Sequence, residues 1–392
     1  MEKLLLEIER RVLDKEGRYA IIGTEFRARR LALKKTLKFL SYKLCSVSYA
    51  SKIESSDIIP NDVVLREISS RLGMDQKQFD GILGLREAIE AGIKAILYNN
   101  IKSLDGLIKN CIDFDNYRSR IFQFLYYANK NNLEAATAMH TELIKLSTTM
   151  TNFDFNVFVV IEGIYFFKIG NIVEAFNTLK KAEYLPLARY VKYVLHLYLF
   201  YCANVLCSPD TIYYYNFVRE ELFSIGSYEL LDEVQYYLAI YHVKNDSFER
   251  ASDICNSIKE FKYKNSIMFL IAYLNGASIK SFSRKNIIKA ARCIYDYIND
   301  QELFMIDIKE YDGFYQLDYS SLLFKYLLMK DDLEKFDYIM TNVANEVSIS
   351  EDKYIKRFFV DQLWQISKKQ QKYKFLYEGY EKLIKGVNKI EN

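Results

Sequence analysis

The sequence predicts an all-α protein with two parts, a bundle of short helices near the N-terminus and a long array of helix pairs behind it. Three observations predict this. Only 14 glycines and 3 prolines occur in 392 residues, far below the usual share of about 7% and 5%, so little interrupts a helical backbone. Beyond residue 85, apolar positions recur at helical spacing in segments joined by short polar loops. From Phe26 to Ile53 the chain carries eight basic residues (Arg27, Arg29, Arg30, Lys34, Lys35, Lys38, Lys43, Lys52) and no acidic one. A solvated helix face normally mixes both signs.

Five short helices account for the N-terminal part. Phe26 and Leu33 mark the inner face of the first. Leu37, Leu40 and Leu44 mark the second, and Ala50 and Ile53 the third. Val64, Leu65, Ile68 and Leu72 mark the fourth, with Pro60 in the loop before it, and Phe79, Ile82 and Leu83 start a fifth. The connection Leu44-Cys45-Ser46-Val47 is the tight turn of a helix-turn-helix. A one-sign basic surface on such helices suits a polyanion, because released counterions offset the self-repulsion of the cations. Residues 18–75 hold eleven Lys and Arg against six Asp and Glu, a balance of +5 in a chain whose net charge is +3. The basic excess is therefore local.

The tract LSYKLCSVSYASKIESSDIIP resembles the core of Xre-type helix-turn-helix domains. Its nearest variant is that of the RRNPP family of peptide-pheromone regulators. The resemblance implies that Arg30 and Glu54 form a structural ion pair inside the domain. It implies that Thr36 and Ser46 meet DNA phosphates at helix N-termini, with Lys38 nearby. It implies that Val47, Ser48 and Lys52, with Tyr49 beside them, form the base-reading face. Leu37 departs from the family, which often has Gln there as a phosphate ligand. Val47 reads no base edge by hydrogen bonding but fits a thymine methyl.

Several segments of the body share one pattern. Gly163 and Phe166 are followed by Gly170, Ala175, Leu179, Ala182 and Pro186; Phe124 and Tyr127 by Leu133, Ala136 and His140; Ala239 and His242 by Phe248, Ala251 and Cys255; and Phe324 and Leu327 by Leu333 and Phe336. These offsets match the tetratricopeptide consensus, and about eight helix pairs fit between residue 90 and the C-terminus. Stacked pairs of this kind form a right-handed superhelix with a concave groove, an arrangement that also resembles the RRNPP regulators. The predicted division is an amphipathic helix over 1–17 (stripe Leu4, Leu5, Ile8, Val12), a DNA-binding domain over 18–80, a linker helix over 81–100, and a peptide-binding and dimerisation domain over 101–392.

In the family, side-chain amides hold the backbone of a short signalling peptide. That resemblance implies Asn129 and Asn204 as amides for such a peptide, Lys168 and Lys244 for its carboxylate, and Tyr236 on the same inner face. It further implies a homodimer on an inverted-repeat operator in double-stranded DNA, working in quorum sensing. Two alternatives stay open: repeats that dock a protein partner such as an antirepressor, and a module from the family's phosphatase branch. A groove lined with amides favours a peptide, and an exposed apolar patch favours a folded partner.

Enzymatic chemistry has no visible constellation. The three histidines, His140, His196 and His242, lie far apart, and no phosphate loop, nucleophile elbow or paired-carboxylate site is present. The six cysteines (Cys45, Cys111, Cys202, Cys207, Cys255, Cys293) form no CxxC pair and read as reduced, mostly buried thiols, so neither metal nor cofactor is expected. The N-terminal tract lacks a signal-peptide run. The apolar stretch Tyr193 to Cys207 is too short to span a bilayer, so a cytoplasmic protein without a membrane partner is expected. Trp364 is read as a core or dimer anchor, and the runs Lys368–Lys374 and Lys382–Lys389 as solvated helix surface.

Overall fold

The computed structural model describes residues 20–285, except 56–57, 59–61, 75, 112–116, 246, 260–263, 276, 279 and 284. The stripe in residues 1–17, Pro60, Cys293, the repeat at Phe324, Trp364 and the two C-terminal basic runs lie outside the described residues. The protein is all-α, a helix-turn-helix head followed by antiparallel helix pairs of tetratricopeptide type, with no strand among the described residues. Contacts divide it into two compact units, Met1–Leu199 and Phe200–Asn392.

The head comprises α1 (Ala20–Ala32), α2 (Leu37–Ser41), α3 (Val47–Glu54) and α4 (Asp62–Arg71). Phe26, Leu40, Ile53, Val64, Ile68, Leu72 and Met74 form its core, with Leu44, Tyr49 and Leu65 at the edge. One apolar residue or more from each helix meets there, as the helical spacing predicts. Two expected inner-face residues lie elsewhere. Leu33 follows the end of α1 and is 43% exposed, because the chain turns at Lys34 through a left-handed backbone (φ 52°). Leu37, at the start of α2, is half-buried and not among the core residues, whereas Leu44, in a turn where Lys43 has φ 54°, reaches the core edge. Thr36 and Ser46 cap α2 and α3, each hydroxyl accepting from a backbone N–H, of Phe39 at 3.2 Å and of Tyr49 at 3.0 Å. Each cap satisfies a donor that the first helical turn leaves unpaired.

Helix α5 (Gln76–Leu97) runs unbroken for 22 residues. The predicted boundary between residues 80 and 81 therefore falls inside one helix, and the linker helix expected over 81–100 begins earlier. A Cβ on Gly92 of α5 would lie 2.5 Å from Leu125, so the missing side chain permits the close approach of α5 to the next pair. After α6 (Leu104–Cys111), that pair is α7 (Tyr117–Asn129) with α8 (Leu133–Leu146), followed by α9 (Asn152–Lys168) with α10 (Ile172–Ala182).

The two pairs turn in the same way. A residue with positive φ, Asn131 (55°) or Gly170 (85°), is followed by an Asn N-cap, Asn132 or Asn171, that accepts from the backbone of the second helix. Small residues then let the paired helices touch. Ala136, Ala175 and Ala182 are 0% exposed, and a Cβ on Gly163 would lie 2.4 Å from Leu179. Every residue of α9 from Asp154 to Phe167 is buried. The division between units falls within α11 (Arg189–Val205). The second unit contains α12 (Asp210–Ile225), α13 (Tyr228–Lys244), α14 (Phe248–Ser257) and α15 (Lys264–Leu274). Its α12–α13 turn again combines a left-handed residue, Gly226 at φ 72°, with Ser227 as cap residue. Ala239, Ala251 and Cys255 fill the α13–α14 contact at 0% exposure.

The Gly163–Leu179 contact generates a stability prediction. Gly163→Val forces a branched side chain into occupied space and is expected to cost about 1–3 kcal/mol. Urea unfolding of the full chain measures it, and an unchanged midpoint would contradict the tight contact.

Candidate nucleic-acid interface

The head divides its basic residues between interior and surface. Arg30 turns inward: Nε and Nη2 donate to the two Glu54 carboxylate oxygens, both at 2.7 Å, and Nη1 donates to the Lys35 carbonyl at 3.0 Å. The side chains are 11% and 6% exposed. This bidentate fork ties α1 to the end of α3. The hydrogen-bonded Glu54 carboxylate holds the Arg30 guanidinium above its ordinary pKa. Arg29 is half-buried and reaches the Leu72 carbonyl at 3.4 Å. By contrast Arg27, Lys34, Lys35, Lys38, Lys43 and Lys52 are all exposed.

Helix α3 is two-faced. Ala50, Ile53 and Glu54 are buried, while Val47 (46% exposed), Ser48 and Lys52 face solvent. Tyr49 differs from its neighbours: it packs half-buried against the head core, which limits it to the edge of the outward face. Leu37, where the family often has Gln, is half-buried at the start of α2. Thr36, Lys38, Phe39, Tyr42 and Arg71 line a shallow open depression of about 560 Å³ beside the cap of α2. Two lysines lean over its aromatic rings, Lys35 at 4.8 Å from the Phe39 centroid and Lys43 at 5.5 Å from that of Tyr42. Such cation–π contacts hold a flexible ammonium in place without neutralising it.

Arg71 has a role that the sequence did not disclose. Its Nη1 donates to the carbonyls of Leu40 (2.8 Å) and Tyr42 (2.6 Å), and its Nε and Nη2 to Glu67, both at 3.0 Å. It thereby ties α4 to the end of α2 and to the start of the helix-turn-helix turn. The Glu67–Arg71 spacing of four was visible in the sequence, but the carbonyls it braces were not.

In the body, the residues expected around a peptide are scattered in environment. Asn204 is 0% exposed, and its amide donates to the Tyr237 carbonyl at 2.7 Å, joining α11 to α13. Asn129 is 7% exposed and donates to the Leu125 carbonyl one turn back at 2.8 Å. Tyr236 is 1% exposed. These three are core residues, which corrects their expected place on a groove wall. Helices α7, α11 and α13 bury most of their surface around these positions, which therefore meet protein instead of solvent. Lys168 and Lys244 are half-exposed. His140 shares a 2.7 Å hydrogen bond with the buried Glu162, and His196 and His242 are buried. The described cysteines are free thiols, of which Cys111, Cys202 and Cys255 are buried and Cys45 and Cys207 half-buried. Among the described residues no cluster of His, Cys, Asp and Glu fits a metal ion, and no helix is long and apolar enough to cross a membrane.

No family model and no curated protein matches this chain. Among solved structures, the chain is similar to Bacillus thuringiensis PlcR, determined in complex with the peptide PapR7 and DNA. Identity is 18% and the TM-score 0.34, over 67% of this chain and 100% of that one. What this chain does is therefore read from its own residues.

The Arg30–Glu54 fork carries a prediction. Arg30→Ala leaves a carboxylate buried without its partner, with an expected loss on the order of 3 kcal/mol. Thermal unfolding of the full chain is the measurement. A variant that melts like wild type would contradict the bracing role of the fork.

Proposed function

We propose that this protein is a transcription regulator that binds duplex DNA through its helix-turn-helix head, with α3 in the major groove. One observation carries the reading: six exposed cations and no exposed acid between Phe26 and Ile53, set around a helix whose outward face is Val47, Ser48 and Lys52. Arg30 is consumed inside the head, while Arg27 and five lysines are left outside, which leaves a surface of positive charge suited to phosphates. Thr36, Lys38 and Ser46 lie at the starts of α2 and α3 and are the proposed phosphate contacts. Val47, Ser48 and Lys52, with Tyr49 at their edge, are the proposed base-reading group.

Lys52→Ala and Ser48→Ala are expected to weaken specific binding by about 1–3 kcal/mol each. Lys38→Ala is expected to weaken all sequences alike and to lower the salt slope by about 1. Retardation assays on the promoter of the protein's own gene, across a salt series, separate the two effects. Unchanged affinity in both base-face variants would remove the proposal.

The helix pairs are proposed to receive the controlling signal and to dimerise the protein, so that two heads meet an inverted repeat. A short peptide is the first candidate signal. Lys168 and Lys244 are its proposed carboxylate contacts, since the amides expected to hold it are in the core. A folded protein partner is the second reading, and a specific observation favours it. Helix α12 exposes Ile212 (38%), Tyr213 (54%), Phe217 (37%) and Phe223 (66%), with Tyr228 (59%) beside them. An aromatic face of this kind is costly to leave in water and marks docking surfaces. Tyr213→Glu with Phe217→Glu is expected to lower the particle mass or abolish partner capture, while Lys168→Glu with Lys244→Glu is expected to lower peptide affinity. Light scattering and calorimetry on the full chain distinguish the readings.

A further inference from the structure

Glu25 belongs to α1 of the head, yet it is 5% exposed and its carboxylate faces charges on the repeats. Arg118 of α7 and Asp154 of α9 both act on it, with Arg29 of its own helix. Arg118 and Asp154 are themselves 0% exposed. Arg118 donates from Nε (2.9 Å) and Nη2 (2.8 Å) to Oδ2 of Asp154, and the Tyr117 hydroxyl donates to the same oxygen at 2.8 Å. Two carboxylate oxygens in this cluster have no hydrogen-bond partner, Oε2 of Glu25 and Oδ1 of Asp154. The cluster thus sets two carboxylates against one fully buried guanidinium, with half-buried Arg29 at its edge. One added proton balances the buried charge and supplies a donor where two acceptors lack one.

We propose that Glu25, Arg118 and Asp154 form a proton-operated joint between head and repeats, in which Glu25 takes up a proton as α1 seats on the repeat segment Ser147–Thr149 and releases it as α1 lifts away.

The remaining groups near Glu25 leave it as the titrating member. Burial foremost, then Asp154, pushes the Tyr117 phenol well up, so it keeps its proton. The Arg118 guanidinium stays charged. On α3, which packs on α1, Glu54 is held by Arg30 and Lys52 is exposed. The segment Ser147–Thr149, also against α1, carries no titratable side chain. For Glu25 itself, burial is the largest influence, opposed by Arg118 and aided by Asp154, and it raises the carboxyl from 4.5 to about 7. A raised carboxyl favours the seated state below 4.5, where both states are protonated. The advantage is lost as pH climbs from 4.5 to about 7, because the lifted state ionises first. Across that window the seating equilibrium is expected to weaken on the order of 100-fold.

Hydrogen exchange on the full chain between pH 5 and pH 8, corrected for intrinsic rates, tests the joint without DNA. Amides of α1 and of the first turn of α7 are expected to open on the order of 100-fold more often at the upper end, whereas Glu25→Gln is expected to remove this pH dependence and stay protected. No pH dependence in wild type, or equal dependence in the variant, overturns the proposal. Carbon-13 NMR of the glutamate carboxyls in wild type, with the Glu25 signal identified by its loss in Glu25→Gln, gives a second reading. A midpoint near 7 supports the joint, and one below 5 overturns it. Neither experiment depends on DNA binding.

Discussion

The first unit is organised around a salt bridge that water does not reach. Arg118 and Asp154 sit on successive first helices of neighbouring pairs, both fully buried. Leaving either alone in that place would cost several kcal/mol. The two helices are therefore committed to one register, and α9 is free to be apolar everywhere else from Phe155 to Phe167 apart from Asn156 and Glu162. Hydrophobic packing is tolerant of small slides, whereas a bidentate contact near 2.8 Å is not. The aromatic packing of the first unit, including Phe124 against Phe158 and Tyr165, is fitted around a position that electrostatics has already chosen.

The same division of labour appears in the head. A guanidinium is a flat fork that satisfies two oxygens at once, and an ammonium is a strongly hydrated point charge. Arg30 and Arg71 accordingly brace α1 to α3 and α4 to the turn, while the lysines stay in water. The basic run looked uniform in the sequence because charge was counted without regard to shape.

Much of the fold was legible because half-buried helices leave a periodic mark. Val64, Ile68 and Leu72 repeat at helical spacing and all reach the head core. Gly163, Ala175 and Ala182 keep tetratricopeptide offsets because two helices cannot approach without small residues. The groove residues were not legible for the opposite reason. Helices α11 and α13 bury almost their whole circumference around Asn204 and Tyr236, so no apolar stripe exists from which to set a phase. A polar residue in such a helix reads as exposed when it is in fact bonded to a neighbouring backbone. Glu25 escaped for a related reason, since its charged neighbours lie 93 and 129 positions away in the chain, and no local pattern brings them together.

Helix α5 gives the molecule a mechanical property. Its 22 residues make a rod about 33 Å long that starts just after the head and packs against α6 and α7. A rod transmits rotation instead of absorbing it. A tilt of about 10° at one end displaces the other by about 6 Å. Movements among the first repeats too small to unpack a single side chain would therefore reach the far end as displacements of several ångströms.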